Sequence, residues 1–160
     1  ENKYPIIQYY GVNSGPQGTD EYYKGSNMIQ TIRQVIDNDN MFRTILRGLN
    51  SNFYHQTVTA KDIESYFNQV SGRDLTPIFN QYLRSTQVPE FEFRQNRHRL
   101  KYRWTNCNRD FNMFLKVNLS GDFWLKPTTR WQTIRFSSSE RTQLTVNRNF
   151  YIRVKNLGPL

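Results

Sequence analysis

The chain has 160 residues, 36% hydrophobic and 15% aromatic, with a formal net charge of +9. That length holds one ordinary domain or two small ones, with apolar content sufficient for a core. No run of about 18 apolar residues is present, which excludes a membrane-spanning helix, and the single cysteine, Cys107, excludes an internal disulfide and any cysteine-rich metal site.

The charge is unevenly placed. Residues 1–87 carry 8 Lys/Arg against 8 Asp/Glu, whereas residues 88–160 carry 14 against 5, so the whole excess lies in the second half. Such a step predicts two units with different surfaces, 1–87 and 88–160, with the seam at "STQVPEF", which contains Pro89. The opening "ENKYPIIQYY" lacks the charged and apolar regions of a signal peptide, and Glu1 in place of Met reads as the start of a piece of a longer chain. The compartment stays open.

The first half reads as helical. After the loop-like "NSGPQGTD", apolar or small residues recur at Gly25, Ile29, Ile32 and Ile36, one stripe of a helix over about 21–37. Tyr22 extends that stripe backwards, while Tyr23 falls in line with the polar Asn27, Gln30 and Gln34. A second helix follows "DNDN", with Asp39 as the expected N-cap and Phe42, Ile45, Leu46, Leu49 and Phe53 facing inward. Thr59 opens a third, with Asp62 completing an imperfect capping box, Ile63, Tyr66, Phe67 and Val70 inside, and Ser71-Gly72 as its end. Asp74 is the expected cap of a fourth, where Pro77 is tolerable in the first turn and Ile78, Phe79, Tyr82 and Leu83 pack.

The period then changes from about 3.6 to 2. In "HRLKYRW", Leu100, Tyr102 and Trp104 share one face and Arg99, Lys101 and Arg103 the other. With "FEFR" at 91–94, further runs at 113–119, 122–126, 130–136, 143–146 and 149–154 make about seven short strands separated by Asn, Gly, Pro or Ser. The expected fold class is therefore α+β: an all-helical N-terminal half followed by an antiparallel β-sandwich.

Little in the chain spells catalysis. His55 is followed by Gln56 and His98 by Arg99, so neither begins an H-E-x-x-H helix, and no G-x-S-x-G, phosphate-binding loop or dinucleotide-binding glycine pattern occurs. Cys107 reads as an ordinary thiol rather than a nucleophile. In "FRQNRHRLKYRW" arginines interleave with aromatics, as in single-strand nucleic-acid binders. Strand alternation nevertheless separates the cations from the aromatics, which weighs against nucleic acid and in favour of a solvated face or an interface to another domain.

The stretch "EYYKGS", with "MIQTIRQVIDNDNMFRTILRGL" and "TVTAKDIESYFNQVSGRDLTPIFNQYL" after it, resembles the zinc aminopeptidase family of aminopeptidase N and its relatives. In that family a Tyr-x-Lys-Gly motif opens a helix near the end of the thermolysin-like, gluzincin catalytic domain. A T-x-x-D-F helix, an S-G-x-D-L turn and a Q-W-L-like helix end follow in order. Here these read Tyr22 to Gly25, Thr59 to Ile63 with Ile for Phe, Ser71 to Leu75, and Gln81-Tyr82-Leu83 with Tyr for Trp. Many members continue into a small β-sandwich, matching the strand-rich half. The motif likeness covers residues 20–84, and beyond them it is architectural.

The resemblance implies a fragment of an enzyme that removes N-terminal residues from peptides. It implies zinc in the parent but none in this chain, because H-E-x-x-H, its downstream glutamate and the amine-reading segment are missing and would lie before Glu1. The implied partners are those missing parts of the same polypeptide and the peptide substrate. Of the family's functional residues only the tyrosine of Tyr-x-Lys-Gly carries over, onto Tyr22. A phenol is protonated at neutral pH, so it acts as a donor. A donor aimed at a zinc-bound carbonyl gains strength as the oxygen becomes an oxyanion, which is the differential that catalysis requires. The competing reading is a non-enzymatic binding module whose basic sandwich contacts protein, glycan or nucleic acid.

Overall fold

The structure, a computed structural model, describes residues 2–9, 20–136 and 143–160. Among these residues four helices come first, α1 (Asp20–Ile36), α2 (Asp39–Asn52), α3 (Ala60–Ser71) and α4 (Thr76–Arg84), and seven strands follow. The change from helix to strand falls just after Arg84, where the charge steps up.

Local chemistry accounts for the helix ends. Thr59 and Asp62 form a full capping box: Asp62 N–H donates to Thr59 Oγ1 at 3.3 Å and Thr59 N–H to Asp62 Oδ2 at 2.8 Å. Gly72 closes α3 in the left-handed region at φ 64°, where a side chain would be strained. Two caps lie one residue away from expectation. Asn38, not Asp39, caps α2, its Oδ1 accepting from Met41 N at 3.0 Å. Asp39 sits in the first turn, where the helix dipole favours a carboxylate, and accepts from Arg33 Nε and Nη2, each at 2.8 Å. Leu75 occupies the cap position of α4, while Asp74 Oδ1 accepts from Thr76 N at 3.0 Å.

Phe42 and Ile45 of α2 are buried, but Leu46, expected inside, is 40% exposed. Gly48 of α2 is where α3 comes close. A Cβ there would stand 2.9 Å from Tyr66 Cζ, so any larger residue displaces that ring.

The strands are β1 (Glu90–Gln95), β2 (Arg99–Thr105), β3 (Leu115–Asn118), β4 (Asp122–Leu125), β5 (Gln132–Arg135), β6 (Thr145–Val146) and β7 (Arg153–Asn156). They form a four-stranded sheet in the order β5-β2-β1-β7 and a three-stranded sheet in the order β4-β3-β6. Phe91, Phe93, Leu100, Tyr102 and Trp104 point into the core, as the alternation predicts. All neighbours are antiparallel except β7, which runs parallel to β1.

The last strand also begins later than its apolar run. Tyr151 is the reason, because the helices take up its backbone. Its N–H donates to Thr31 Oγ1 at 2.9 Å and its carbonyl accepts from Tyr82 Oη at 2.7 Å, so pairing with β1 starts only at Arg153. Gln81, fully buried, adds a second tie. Its Oε1 accepts from Asn108 N at 2.6 Å and its Nε2 donates to Gln87 O at 2.9 Å. Burial drives the Tyr82 phenol far above its ordinary range, so it stays a donor throughout physiological pH. One hydrophobic cluster runs from Met28 and Ile32 through Phe79 and Tyr82 to Trp104, Leu115 and Phe150.

Glu92, only 6% exposed, is held on the other face of the larger sheet. It accepts from Arg103 Nε at 2.9 Å and Nη2 at 2.8 Å through Oε2, and from Lys155 Nζ at 3.2 Å through Oε1. Burial alone would raise its pKa, but Arg103 and then Lys155 together outweigh burial and hold it below the ordinary 4.5. A depressed carboxyl contributes stability above the unfolded value and loses it as pH falls through the folded one. We therefore expect this contribution to be complete at pH 6 and to be lost on the acid side of 4.5, as pH falls through the lowered folded value. Glu92→Gln should cost about 1–3 kcal/mol at pH 6 and much less at pH 3. Urea titrations of both proteins at the two pH values check this, and an equal difference at both would refute it.

Candidate functional site

The candidate site is the first turn of α1, where the sequence spends two phenols, a lysine and a glycine. Lys24 holds this turn in place. It is 1% exposed, and its Nζ donates to the carbonyl of Ser85, the C-cap of α4. Its ammonium thus sits at the negative end of α4, where a cation is favoured and an orphan carbonyl needs a donor.

The buried face of α1 accordingly runs through Lys24, Met28, Thr31, Ile32, Val35 and Ile36. This corrects the inward stripe drawn through Tyr22 and Gly25. Tyr22 is 69% exposed and Tyr23 70%, so the helix turns both rings to solvent. Lys24 displaces them: its aliphatic stem takes the position one turn before Met28, which hydropathy assigns to an apolar residue. Among the described residues nothing packs closely on Gly25: a Cβ there would meet Ile6 Cδ1 at 3.9 Å, an ordinary van der Waals contact. Ile29 of the expected stripe packs partly buried against the core.

Tyr22 is left as a phenol on a fixed helix with no partner for its hydroxyl among the described residues. Tyr23 differs in its backbone, whose carbonyl accepts from Ser26 Oγ at 3.1 Å and Asn27 Nδ2 at 2.7 Å. Chemically the turn offers two exposed phenol donors on an anchored backbone, with the carboxylate of Glu21 beside Tyr22.

The remaining chemistry-bearing residues do not converge. His55 is exposed at φ 53°, its ring edge-on to Tyr54 at 4.2 Å. His98 lies in the exposed β1–β2 turn. Cys107 is half-buried, and burial together with Asp110 pushes its thiol up to about 11, which keeps it protonated and a poor nucleophile. A groove of about 540 Å³ between α3 and α4 is lined by Thr59, Lys61, Glu64, Asn68, Asn80 and Arg84, where Glu64 and Arg84 neutralise one another at 2.7 Å.

Among the described residues no three His, Cys, Asp or Glu side chains come together as metal ligands, so the side chains present do not fit a zinc ion. The isolated chain is expected to retain well under one zinc per molecule after dialysis, read by elemental analysis. One tightly held zinc per chain would contradict this geometry.

No protein-family model matches the sequence, and no curated protein does. The fold has a solved counterpart. It superposes on part of aminopeptidase A of Legionella pneumophila, crystallised in complex with aspartic acid, with a TM-score of 0.72 and 16% identity over 87% of this chain. The chain spans 18% of that protein's length. At this identity the likeness is one of fold: these helices and sheets are arranged as in a segment of an aminopeptidase.

Proposed function

We propose that the chain is the C-terminal part of the catalytic domain, joined to the β-sandwich, of a zinc aminopeptidase of the aminopeptidase N family. In this reading it supplies one catalytic group, Tyr22, and is inactive alone. The observation that carries the proposal is Tyr22 itself, an exposed phenol whose hydroxyl has no partner among the described residues, on a helix pinned at Lys24. The fold shared with a segment of an aminopeptidase and the order of motifs from Tyr22 to Leu83 support it.

The Tyr22 hydroxyl donates a hydrogen bond to the carbonyl oxygen of the substrate's first peptide bond as that oxygen takes on negative charge. The bond is weak to the neutral carbonyl and strong to the anion, so it lowers the barrier more than it tightens substrate binding. Lys24 acts as a positioning residue by tying the Tyr22 turn to the end of α4. The zinc ligands, the base and the amine-reading groups belong to other parts of the same polypeptide, which pack against this helical half.

The coding sequence surrounding this chain tests the reading. An H-E-x-x-H helix with a glutamate one helix later, preceding Glu1 in the same reading frame, supports it. Its absence sinks it.

A further inference from the structure

The outer face of the four-stranded sheet carries its charges in a costly register. Arg94 of β1 stands directly opposite Lys101 of β2, and Arg99 of β2 directly opposite Arg135 of β5, all on the face turned away from the core. Like charges in directly opposed positions destabilise a sheet. At the other end of the same face the chain does place carboxylates. Glu92 takes Arg103 and Lys155, and Glu90 reaches Lys155 at 3.6 Å. Among the described residues none of Arg94, Arg99, Lys101 and Arg135 has a carboxylate partner. Arg94, Arg99 and Arg135 are exposed and Lys101 is partly buried. Among the described residues, the face is thus neutralised at one corner and concentrated in positive charge at the other.

We propose that this corner is a docking surface for an acidic segment of another protein. The spacing fits an extended chain. Arg99 and Lys101 lie two residues apart on β2, about 6.8 Å, the same interval that separates alternate side chains of an extended acidic stretch. Arg94 and Arg135 flank them on the neighbouring strands, and the planar guanidinium forks bind carboxylates in pairs of hydrogen bonds. A single-stranded nucleic acid fits less well. Trp131 is the aromatic ring that comes to this face, and it is already engaged by Arg103 at 4.4 Å and Lys101 at 5.2 Å, so base stacking would have to displace them. The docking surface and the peptidase reading rest on different elements, and either can fail alone.

The test uses the 160-residue chain, labelled ten-residue peptides rich in Glu or Gln, and fluorescence anisotropy at 50 mM NaCl. The Glu peptide should bind at least about tenfold more tightly than the Gln peptide, and lose about tenfold at 0.3 M NaCl as the Debye length shrinks. Arg99→Glu sets a carboxylate opposite Arg135. It should weaken binding of the Glu peptide about tenfold and raise Tm by about 2 °C, because attraction replaces repulsion. Arg43→Glu on exposed α2 makes the same change in net charge and should leave binding within about twofold. The proposal is overturned by failure of the Glu peptide to bind, by equal losses in the two variants, by a fall in Tm for Arg99→Glu, or by tighter binding of a ten-nucleotide oligothymidylate than of the Glu peptide.

Discussion

Tyr22→Phe, made in a complete enzyme that contains this segment, is expected to lower kcat by on the order of 10² to 10³ with little change in KM. The substitution removes one hydroxyl and keeps the ring. Because Tyr22 is 69% exposed and its hydroxyl has no partner among the described residues, the fold loses nothing measurable with it. A drop in kcat therefore reports a bond made to substrate in the transition state rather than a weakened scaffold. Tyr23→Phe is the control and should change neither constant. The two positions are adjacent on α1 and nearly equal in exposure, so a general effect on the turn strikes both. Equal kinetics for the two variants, or a larger loss at Tyr23, would assign the donor to the wrong phenol or remove it from this turn. Lys24→Met sharpens the comparison: if Lys24 positions the turn, its loss lowers kcat while leaving the Tyr22 hydroxyl present.

What the sequence made legible follows from where local rules act alone. The capping box of Thr59 and Asp62, the left-handed Gly72 and the alternation of "HRLKYRW" are set within a few residues, and each forms as read. The misreadings share a different cause. Lys24 reads as polar, yet it is buried because a carbonyl at the end of α4, 61 residues away in sequence, needs a donor. That contact rotates the buried face of α1 and turns Tyr22 outward. The delayed start of β7 likewise follows from Thr31 and Tyr82 holding Tyr151, and the parallel pairing with β1 from where that hold releases the chain. Cations and aromatics separate across β2 as alternation requires, but Trp131, the residue just before β5, arrives on the cationic face from some 30 residues later, which no pattern within β2 announces. The phase of a helix and the facing of a strand thus came through in outline, and the long-range polar contacts that adjust them did not.

Trp104→Ala is expected to cost about 3–5 kcal/mol, among the largest single losses available in this chain. The indole is fully buried, edge-on to Phe91 at 5.5 Å and to Phe111 at 5.2 Å, and its Nε1 donates to the carbonyl of Met113 at 3.1 Å. Truncation leaves a cavity at the centre of the sandwich and strips a buried carbonyl of its donor, and the two penalties add. Trp131→Ala is the comparison. That ring lies half-buried on the outer face with Arg103 and Lys101 over it, and its loss should cost about 1 kcal/mol. Trp104→Ala also asks whether 1–87 and 88–160 behave as separate units. Phe111 links Trp104 to Tyr82 of α4, at 6.5 Å from the phenol ring, and Tyr82 and Thr31 hold Tyr151 from the helical side. A cavity at Trp104 should then lower the urea midpoint of the helical signal at 222 nm together with that of tryptophan fluorescence, in one transition. Two transitions, with the helical one unmoved by Trp104→Ala, would mean that the joint through Tyr82, Gln81 and Tyr151 is too weak to couple the halves, and that the charge step near residue 88 marks a boundary of folding as well as of surface.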